Sequence, residues 1–268
     1  MSTTRERSST GLPVTVTAGD DMTETALLVL DFDGVICDSI DENYAVSWVA
    51  YHTLFRKDAA ASSPASRRDF ARLRPFIRSS EDFLIIQEVL STGSTLKDQA
   101  EFDELWRRAG AERRAAFRKL FYQERSEMLA RDRASWLALN RLYPHVKEAF
   151  SVLAKGAPFY VLSTKEPQFI EEILSANQIR MARERILFSD KEPKLATTER
   201  LRAEGGFKEA ILVEDQVDHL RDNRNPRVRG LLAAWGYVRE EWLREPLAAP
   251  VITAEGFLAL VENEFSRG

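Results

Sequence analysis

Two aspartates separated by a single residue, Asp31 and Asp33, stand directly after the apolar run 26–30. A short apolar run that ends abruptly in carboxylates is typical of a buried parallel strand whose carboxyl end opens on a site. Gly34 then permits a sharp turn. One carboxylate of such a pair can attack phosphorus, while the other protonates the leaving oxygen and activates water. The alternative is an acidic turn without a catalytic role. The residues at the ends of the other predicted strands distinguish between the two.

A hydroxyl is predicted at the end of a second strand, 158–163, whose last residue is Ser163. With Thr164 directly behind it, this strand end can hold phosphoryl oxygens beside the two aspartates. The alternative is that the hydroxyl groups only cap the predicted helix 166–177. Lys165, the next residue, is interpreted as a surface charge.

Carboxylates also follow a third predicted strand, 209–214, which ends in Glu214 and Asp215 with Asp218 in the next turn. Hard oxygen ligands of this kind suit Mg²⁺. The sequence therefore predicts magnesium as the cofactor, held at the same edge of the sheet.

A lysine between the second and third strand ends, Lys194, begins a predicted helix after Pro193. Its charge can neutralise a phosphoryl group or steady Asp31. Lys191 stands three residues earlier and can reach the site from the same loop, but Lys194 is preferred because it begins the helix.

The elements that must position these residues follow from the wider pattern. Beyond Pro144, predicted helices and strands alternate: helices 145–155, 166–177, 195–204 and 216–222, and strands 158–163, 185–188, 209–214 and 229–234. Such alternation indicates an α/β fold with a Rossmann-like parallel sheet, closed by an edge strand at 250–253 and a last helix. The stretch 39–142 has only helical periodicity, with a loop at 59–66 and a break at 91–95. The predicted organisation is a flexible tail (1–25), an α/β core (26–38 and 143–268) and an inserted all-helical cap domain (39–142).

These motifs, in this order, resemble the haloacid dehalogenase superfamily in its phosphatase branch. The residues that match the motifs of the family are Asp31, Asp33, Ser163, Lys194 and Asp215. The sequence Trp235-Gly236-Tyr237 is similar to phosphoglycolate phosphatase relatives. The resemblance spans about residues 26–253.

The resemblance implies a role for each matching residue. Asp31 would be the nucleophile, Asp33 the general acid and base, and Ser163 and Lys194 would stabilise the phosphoryl group. Mg²⁺ would be held by Asp31, the carbonyl of Asp33 and Asp215. The implied activity is hydrolysis of a small phosphate monoester through an aspartyl-phosphate.

The last motif departs from the pattern of the family, which has glycine before the aspartate and a second acid four residues after it. Here Glu214 replaces the glycine, and position 219 is His. Either Glu214 or Asp218 can therefore supply the second acid of the metal site.

The helical insertion resembles the mobile cap of the family, which would close over the substrate. Arg74 and Arg78 belong to a basic cluster within it and can present guanidinium groups to an anionic substrate. The alternative is a solvated helix face.

The composition limits the class of partner and the compartment. The chain has 268 residues, of which 44% are hydrophobic, and its 38 basic and 42 acidic residues give a formal charge of -4. No positive field favours nucleic acid or a membrane surface, so the expected partner is a small phosphorylated metabolite. A single cysteine, Cys37, and the lack of an apolar leader lead us to expect a cytoplasmic protein. The sequence gives no reading of the oligomeric state.

Proteins with three other functions can have the same core. A phosphoryl-transferring mutase would keep every core motif and differ only in the cap. A 2-haloacid dehalogenase would not need an acid at Asp33, because halide leaves without a proton. A non-catalytic module that binds phosphorylated ligands is a third class, because a fold does not guarantee turnover.

Overall fold

The computed structural model describes five stretches of the chain: residues 26–56, 67–189, 192–221, 223–244 and 249–266. The predicted tail 1–25, the predicted loop 59–66 and Lys191 lie outside them. Within these stretches, no helix has both the length and the apolar character needed to cross a membrane.

One parallel sheet organises the described residues. The strands are β1 (Leu27–Leu30), β2 (Cys37–Asp38), β3 (Arg141–Leu142), β4 (Phe159–Ser163), β5 (Ile186–Phe188), β6 (Ala210–Glu214), β7 (Val228–Ala233) and β8 (Val251–Ile252). Six of them are hydrogen-bonded in parallel in the order β5-β4-β1-β6-β7-β8. The first strand of the chain therefore lies inside the sheet, between β4 and β6.

The helices fall into two groups. They are α1 (Ile40–Leu54), α2 (Arg67–Leu73), α3 (Phe83–Ser91), α4 (Gln99–Ala109), α5 (Ala111–Arg131), α6 (Arg133–Ala138), α7 (Pro144–Leu153), α8 (Pro167–Ala176), α9 (Lys194–Glu204), α10 (Glu240–Arg244) and α11 (Ala254–Phe265). The first six follow one another between β2 and β3, and the others alternate with the strands of the sheet or close it. The predicted fold class, a Rossmann-like parallel sheet with a helical insertion, is confirmed.

Strand β1 is apolar along its whole length because both of its faces are covered. Leu28 and Leu30 belong to a core cluster with residues of α7 and α11. Leu27 and Val29 point to the other face and pack in a cluster that includes Leu201 of α9. All four side chains are fully buried, which is the arrangement expected of a central strand in a parallel sheet.

The inserted helices α1 to α5 have a hydrophobic cluster of their own. Its centre is a stack of aromatic rings, with Phe70 5.8 Å from Phe83 and Phe83 5.3 Å from Phe121 between ring centroids. The chain enters and leaves these helices through β2 and β3, which pair antiparallel. We call these two strands the linkers. The limits 39–142 for a separate cap domain stay a prediction.

Two local predictions differ from the structure, and one feature was not predicted. The helical periodicity expected beyond the break at 91–95 is interrupted at Gly110, whose φ of 77° no other residue type adopts easily, so the chain forms α4 and α5 there. The predicted helix 216–222 is replaced by a single 3₁₀ turn, Val217–His219. The linkers were not predicted, because two residues are too few to give a periodic pattern.

Candidate active site

Three neighbouring strands deliver polar side chains to one edge of the sheet. Asp31 follows β1, Ser163 ends β4 and Glu214 ends β6. Leu30, the residue before Asp31, pairs with Val161 of β4 and with Val213 of β6. Because the strands are parallel and in this register, their carboxyl ends meet at the same place.

A buried cluster of carboxylates lies at this edge. Asp31, Glu214 and Asp215 each have an oxygen within 4.8 Å of the other two. The Lys194 ammonium joins them, with Nζ 2.6 Å from Asp31 Oδ1 and 2.5 Å from Glu214 Oε2. His219 Nδ1 also approaches Glu214 Oε2, at 3.2 Å. A lysine at the first residue of α9 thus stands between the candidate nucleophile and the second acid.

The charges of this cluster are not balanced. Burial and the neighbouring Glu214 raise the pKa of Asp31 to about 6, although Lys194 opposes this. Burial and Glu214 also raise the pKa of Asp215 well above its ordinary value. Burial would do the same to Glu214, but Lys194 and His219 hold its pKa below the ordinary value. Three carboxylates therefore share one lysine, and the excess of negative charge falls on the two aspartates.

This donor set fits a magnesium ion. The three groups offer carboxylate oxygens, which are the ligands that Mg²⁺ prefers, and a divalent cation would offset the charge that raises the two aspartate pKa values. Asp31, Glu214 and Asp215 are the residues that would hold it.

Two glycines make room for Asp215. A Cβ at Gly34 would lie 1.8 Å from Asp215 Oδ2, and one at Gly236 would lie 2.4 Å from Asp215 Cβ. Gly34 also has a φ of 95°, which favours glycine. The backbone N–H of Tyr237 donates to Asp215 Oδ2 at 2.7 Å. The Asp-Gly turn after β1 and the Trp-Gly-Tyr sequence after β7 thus close around one carboxylate.

Asp33 faces a lysine that the sequence did not identify. Lys165 Nζ lies 2.9 Å from Asp33 Oδ1, in an ion pair that lacks the alignment of a hydrogen bond. Burial would raise the pKa of Asp33, but Lys165 and Arg125 hold it below the ordinary value. Lys165 is only 2% exposed, so its interpretation as a surface charge is wrong.

Ser163 and Thr164 lie at the end of β4, as the sequence predicts. Ser163 is buried, and its Oγ accepts a hydrogen bond from the backbone N–H of Lys165 at 3.1 Å. The hydroxyl proton of Ser163 is therefore free to point elsewhere. The carbonyl of Thr164 accepts a hydrogen bond from Tyr122 of α5 at 2.9 Å, which fixes the backbone at the strand end.

A small cavity lies between this edge and the inserted helices. Its volume is about 30 Å³, and Asp33, Thr164 and Lys165 line it from the side of the sheet. Arg74 and Arg125 line it from the side of the helices. Arg78 belongs to the same lining, so four cations and one carboxylate surround the cavity, which favours a negatively charged occupant.

Arg74 is the cation of this cavity with unused hydrogen-bonding capacity. It is 8% exposed, and its guanidinium lies over the Tyr237 ring at 4.4 Å. Nη1 reaches the carbonyl of Ile77 at 3.5 Å, whereas Nε has no hydrogen-bond partner in the part of the chain that the structure describes. A buried donor without a partner is costly, so this group is suited to an anionic ligand.

Arg78 and Asp218 are engaged with each other. Arg78 Nη2 lies 2.6 Å from Asp218, and its Nη1 lies 2.7 Å from Asp103 of α4. Asp218 also pairs with Arg221 at 3.3 Å. The structure therefore brings Glu214, and not Asp218, into the carboxylate cluster. Asp218 instead joins the turn after β6 to the inserted helices.

Arg125, which lines the cavity, is paired with a further buried charge. Arg125 of α5 binds both oxygens of Glu42 in α1, with Nε 2.6 Å from Oε1 and Nη2 3.0 Å from Oε2. Their exposed fractions are 2% and 0%. Neither residue was identified from the sequence.

Comparison with known proteins identifies the fold. No protein-family model matches the sequence, and no curated protein sequence matches it significantly. Solved structures do match: a predicted phosphoglycolate phosphatase from Haemophilus somnus has a TM-score of 0.57 at 18% identity, covering 89% of this chain and 99% of its own. An inferred phosphoglycolate phosphatase from Lactobacillus delbrueckii has a TM-score of 0.60 at 11% identity, covering 89% and 98%. A haloacid dehalogenase-like hydrolase from Streptococcus pneumoniae has a TM-score of 0.52 at 15% identity, covering 90% and 99%.

The chain therefore has the haloacid dehalogenase-like fold. Nearly the whole length of each of these structures is matched. Identities of this size establish the fold, while the activity has to be argued from the site.

Proposed function

We propose that this protein is a Mg²⁺-dependent phosphatase that hydrolyses a small phosphate monoester through an aspartyl-phosphate on Asp31. The observation that carries the proposal is the buried Asp31 carboxylate at the centre of the sheet edge, in contact with Lys194 and close to two further carboxylates. The likeness in fold to structures described as phosphatases supports it.

The first step is attack of an Asp31 carboxylate oxygen on phosphorus, which forms the new bond while the bond to the leaving oxygen breaks. Lys194 holds Asp31 through Oδ1 and brings a positive charge to the place where the phosphoryl charge is spread. The hydroxyl groups of Ser163 and Thr164 offer donors to the phosphoryl oxygens.

Proton transfer is assigned to Asp33. Lys165 and Arg125 keep its pKa low, so it starts as a carboxylate. The negative charge of an arriving phosphate ester opposes that effect and favours proton uptake from solvent, after which Asp33 protonates the leaving oxygen. The resulting carboxylate then takes a proton from the water that attacks phosphorus and releases Asp31.

Asp31, Glu214 and Asp215 would hold the magnesium ion. When bound, Mg²⁺ supplies positive charge to the phosphoryl oxygens and to the carboxylates around them. The carbonyl of Asp33 is the further ligand that the family resemblance suggests.

A panel of phosphate esters tests the proposal. The full-length protein is incubated with an aryl phosphate, phosphorylated short-chain acids, sugar phosphates and nucleotides, with Mg²⁺ or with EDTA. We expect release of inorganic phosphate from at least one ester, dependent on Mg²⁺. Inertness toward the whole panel with Mg²⁺ present would contradict the proposal. A mutase would instead convert an ester to its isomer without net phosphate release, and a binding module would retain an ester unchanged.

Arg74 is expected to contribute to substrate binding. Its buried guanidinium lines the cavity and has an unpaired Nε, so Arg74→Met should raise KM by about 10-fold or more, with a smaller change in kcat. Steady-state kinetics on the best ester of the panel measure this.

Arg72 provides the matched control, since its side chain is 62% exposed and pairs with Asp69 in the same helix. Arg72→Met should leave KM unchanged. Equal KM values for the Arg74 variant and this control would show that Arg74 does not contact the substrate.

A further inference from the structure

Lys165 is a buried cation at the sheet edge to which the proposed chemistry gives no direct contact with the reacting atoms. Its Nζ lies 2.9 Å from Asp33 Oδ1, 3.6 Å from Glu42 Oε2 and 3.4 Å from Asn140 Oδ1. It also lies 5.5 Å from the centroid of the Phe32 ring. Placing an ammonium in the protein interior is costly, so these contacts are what keep Lys165 there.

The partners of Lys165 come from both ends of the helical insertion. Glu42 lies in the first turn of α1, just beyond the first linker, Cys37–Asp38. Asn140 stands immediately before the second linker, Arg141–Leu142. A single ammonium group at the end of β4 therefore contacts the residues next to both linkers and the carboxylate of Asp33.

The burial of Glu42 does not by itself require Lys165. Arg125 already binds both oxygens of Glu42, and its third contact is Nη2 to Asn43 Oδ1 at 3.2 Å. The buried group contains two cations, Lys165 and Arg125, and two carboxylates, Asp33 and Glu42. Arg125 neutralises Glu42 within the helices, so what Lys165 adds is the connection from that pair to Asp33.

The linkers are the connections at which the inserted helices would turn relative to the sheet. A shift of these helices from the position seen here, which we call closed, would displace Glu42 and Asn140, two of the neighbours of Lys165. The position of Lys165, and with it that of Asp33, then depends on closure.

We infer that Lys165 is a positioning residue that ties Asp33 to both linkers, so that Asp33 is aligned for proton transfer only when the helices are closed. The inference rests on the proposed function for the role of Asp33. The tie between Lys165 and the linkers can be tested without it.

Lys165→Met is the first test. In the full-length protein with Mg²⁺ and the best ester of the panel, we expect kcat to fall about 100-fold, as for a misplaced catalytic group. KM should change by less than about threefold, because Lys165 holds Asp33 rather than the ester. The Tm should fall as well, since the carboxylates of Asp33 and Glu42 would lose one of the cations beside them. Lys155→Met, at an exposed lysine shortly before β4, is the control.

A double variant separates positioning from stability. Lys165→Met/Glu42→Gln removes one cation and one carboxylate together and leaves Arg125 and Asp33. The charges of the buried group therefore balance as they did before, and the Tm should recover toward that of the unmodified protein. We expect kcat to stay low, because nothing holds Asp33 to the linkers. Recovery of kcat together with Tm would overturn the inference and leave Lys165 a structural role.

Amide hydrogen exchange at the linkers provides a readout besides activity. Exchange at residues 37–38 and 141–142 should be faster in Lys165→Met and in the double variant than in Lys155→Met. Unchanged exchange at these residues in Lys165→Met would show that Lys165 does not hold the linkers. If the unmodified protein hydrolyses no ester, the proposed function fails, while the exchange measurement still decides whether Lys165 holds the linkers.

Discussion

The Asp31→Asn variant is expected to lose at least about 1,000-fold of the Mg²⁺-dependent phosphatase activity, because an amide can neither attack phosphorus nor carry the charge that a metal requires. In EDTA at neutral pH, the same variant is expected to be more stable than the unmodified protein. The reason is that burial and Glu214 make the charge of Asp31 unfavourable, even with Lys194 beside it.

The pH dependence of this stability difference follows from the direction of the shift. The pKa of Asp31 rises from 3.8 to about 6, so the folded protein binds this proton more tightly than the unfolded chain does. The stability that the proton contributes is present below 3.8 and is lost as the pH rises through about 6. Asparagine has no proton to lose, so the advantage of the variant should grow across this range to about 3 kcal/mol at most.

Urea unfolding in EDTA at a series of pH values measures this difference. Glu148→Gln, the same change of carboxylate to amide at an exposed position of α7, should leave both stability and activity unchanged. Mg²⁺ should stabilise the unmodified protein more than the Asp31 variant. Retention of most activity in Asp31→Asn would exclude this residue as the nucleophile.

The part of the site that could be predicted from the sequence is the part that strand ends define. Asp31, Ser163 and Glu214 each end an apolar run, and parallel strands bring their carboxyl ends to one edge whatever the order of the strands. Lys194 was predicted for a similar reason, because it begins a helix that follows a strand. Local pattern and general sheet geometry were sufficient for these four residues.

The connections between the sheet and the inserted helices could not be predicted in this way. Lys165 follows Ser163 and Thr164 in a stretch that is equally typical of a helix cap, and its burial depends on Glu42 and Asn140, which are 123 and 25 residues away. Asp218 was a candidate metal ligand because of its spacing. The 3₁₀ turn after β6 directs it instead toward Arg78.

A signal for the two missed charges was present in the helical periodicity. Phe117, Phe121 and Arg125 recur every four residues in α5 and are all buried. Glu42 precedes Val46 and Ala50 at the same interval in α1. A charge that continues an apolar stripe lies on the buried face of its helix, where it needs a partner of opposite charge. The two helices pack together, so each could have been predicted to supply the partner of the other.

The pair of Arg125 and Glu42 should therefore have a large effect on stability when one partner is removed. Arg125→Met leaves the Glu42 carboxylate at 0% exposure with only Lys165, 3.6 Å away, as a cation. The expected loss is about 3 to 5 kcal/mol in the free energy of unfolding, the range measured when a buried pair is broken from one side. Chemical denaturation followed by circular dichroism measures it.

The double variant Arg125→Met/Glu42→Gln distinguishes an uncompensated charge from lost packing. Arg125 also lies over the rings of Phe121 and Tyr122, at 4.6 and 5.4 Å, so its removal costs contacts as well as charge. If the unpaired carboxylate dominates, the double variant should recover most of the loss, since methionine fills the space over the rings and glutamine carries no charge. If the double variant is as unstable as the single one, packing dominates. In that case the pair would hold α1 against α5 through the contacts of the arginine with the aromatic rings, and the charge of Glu42 would matter chiefly through Lys165.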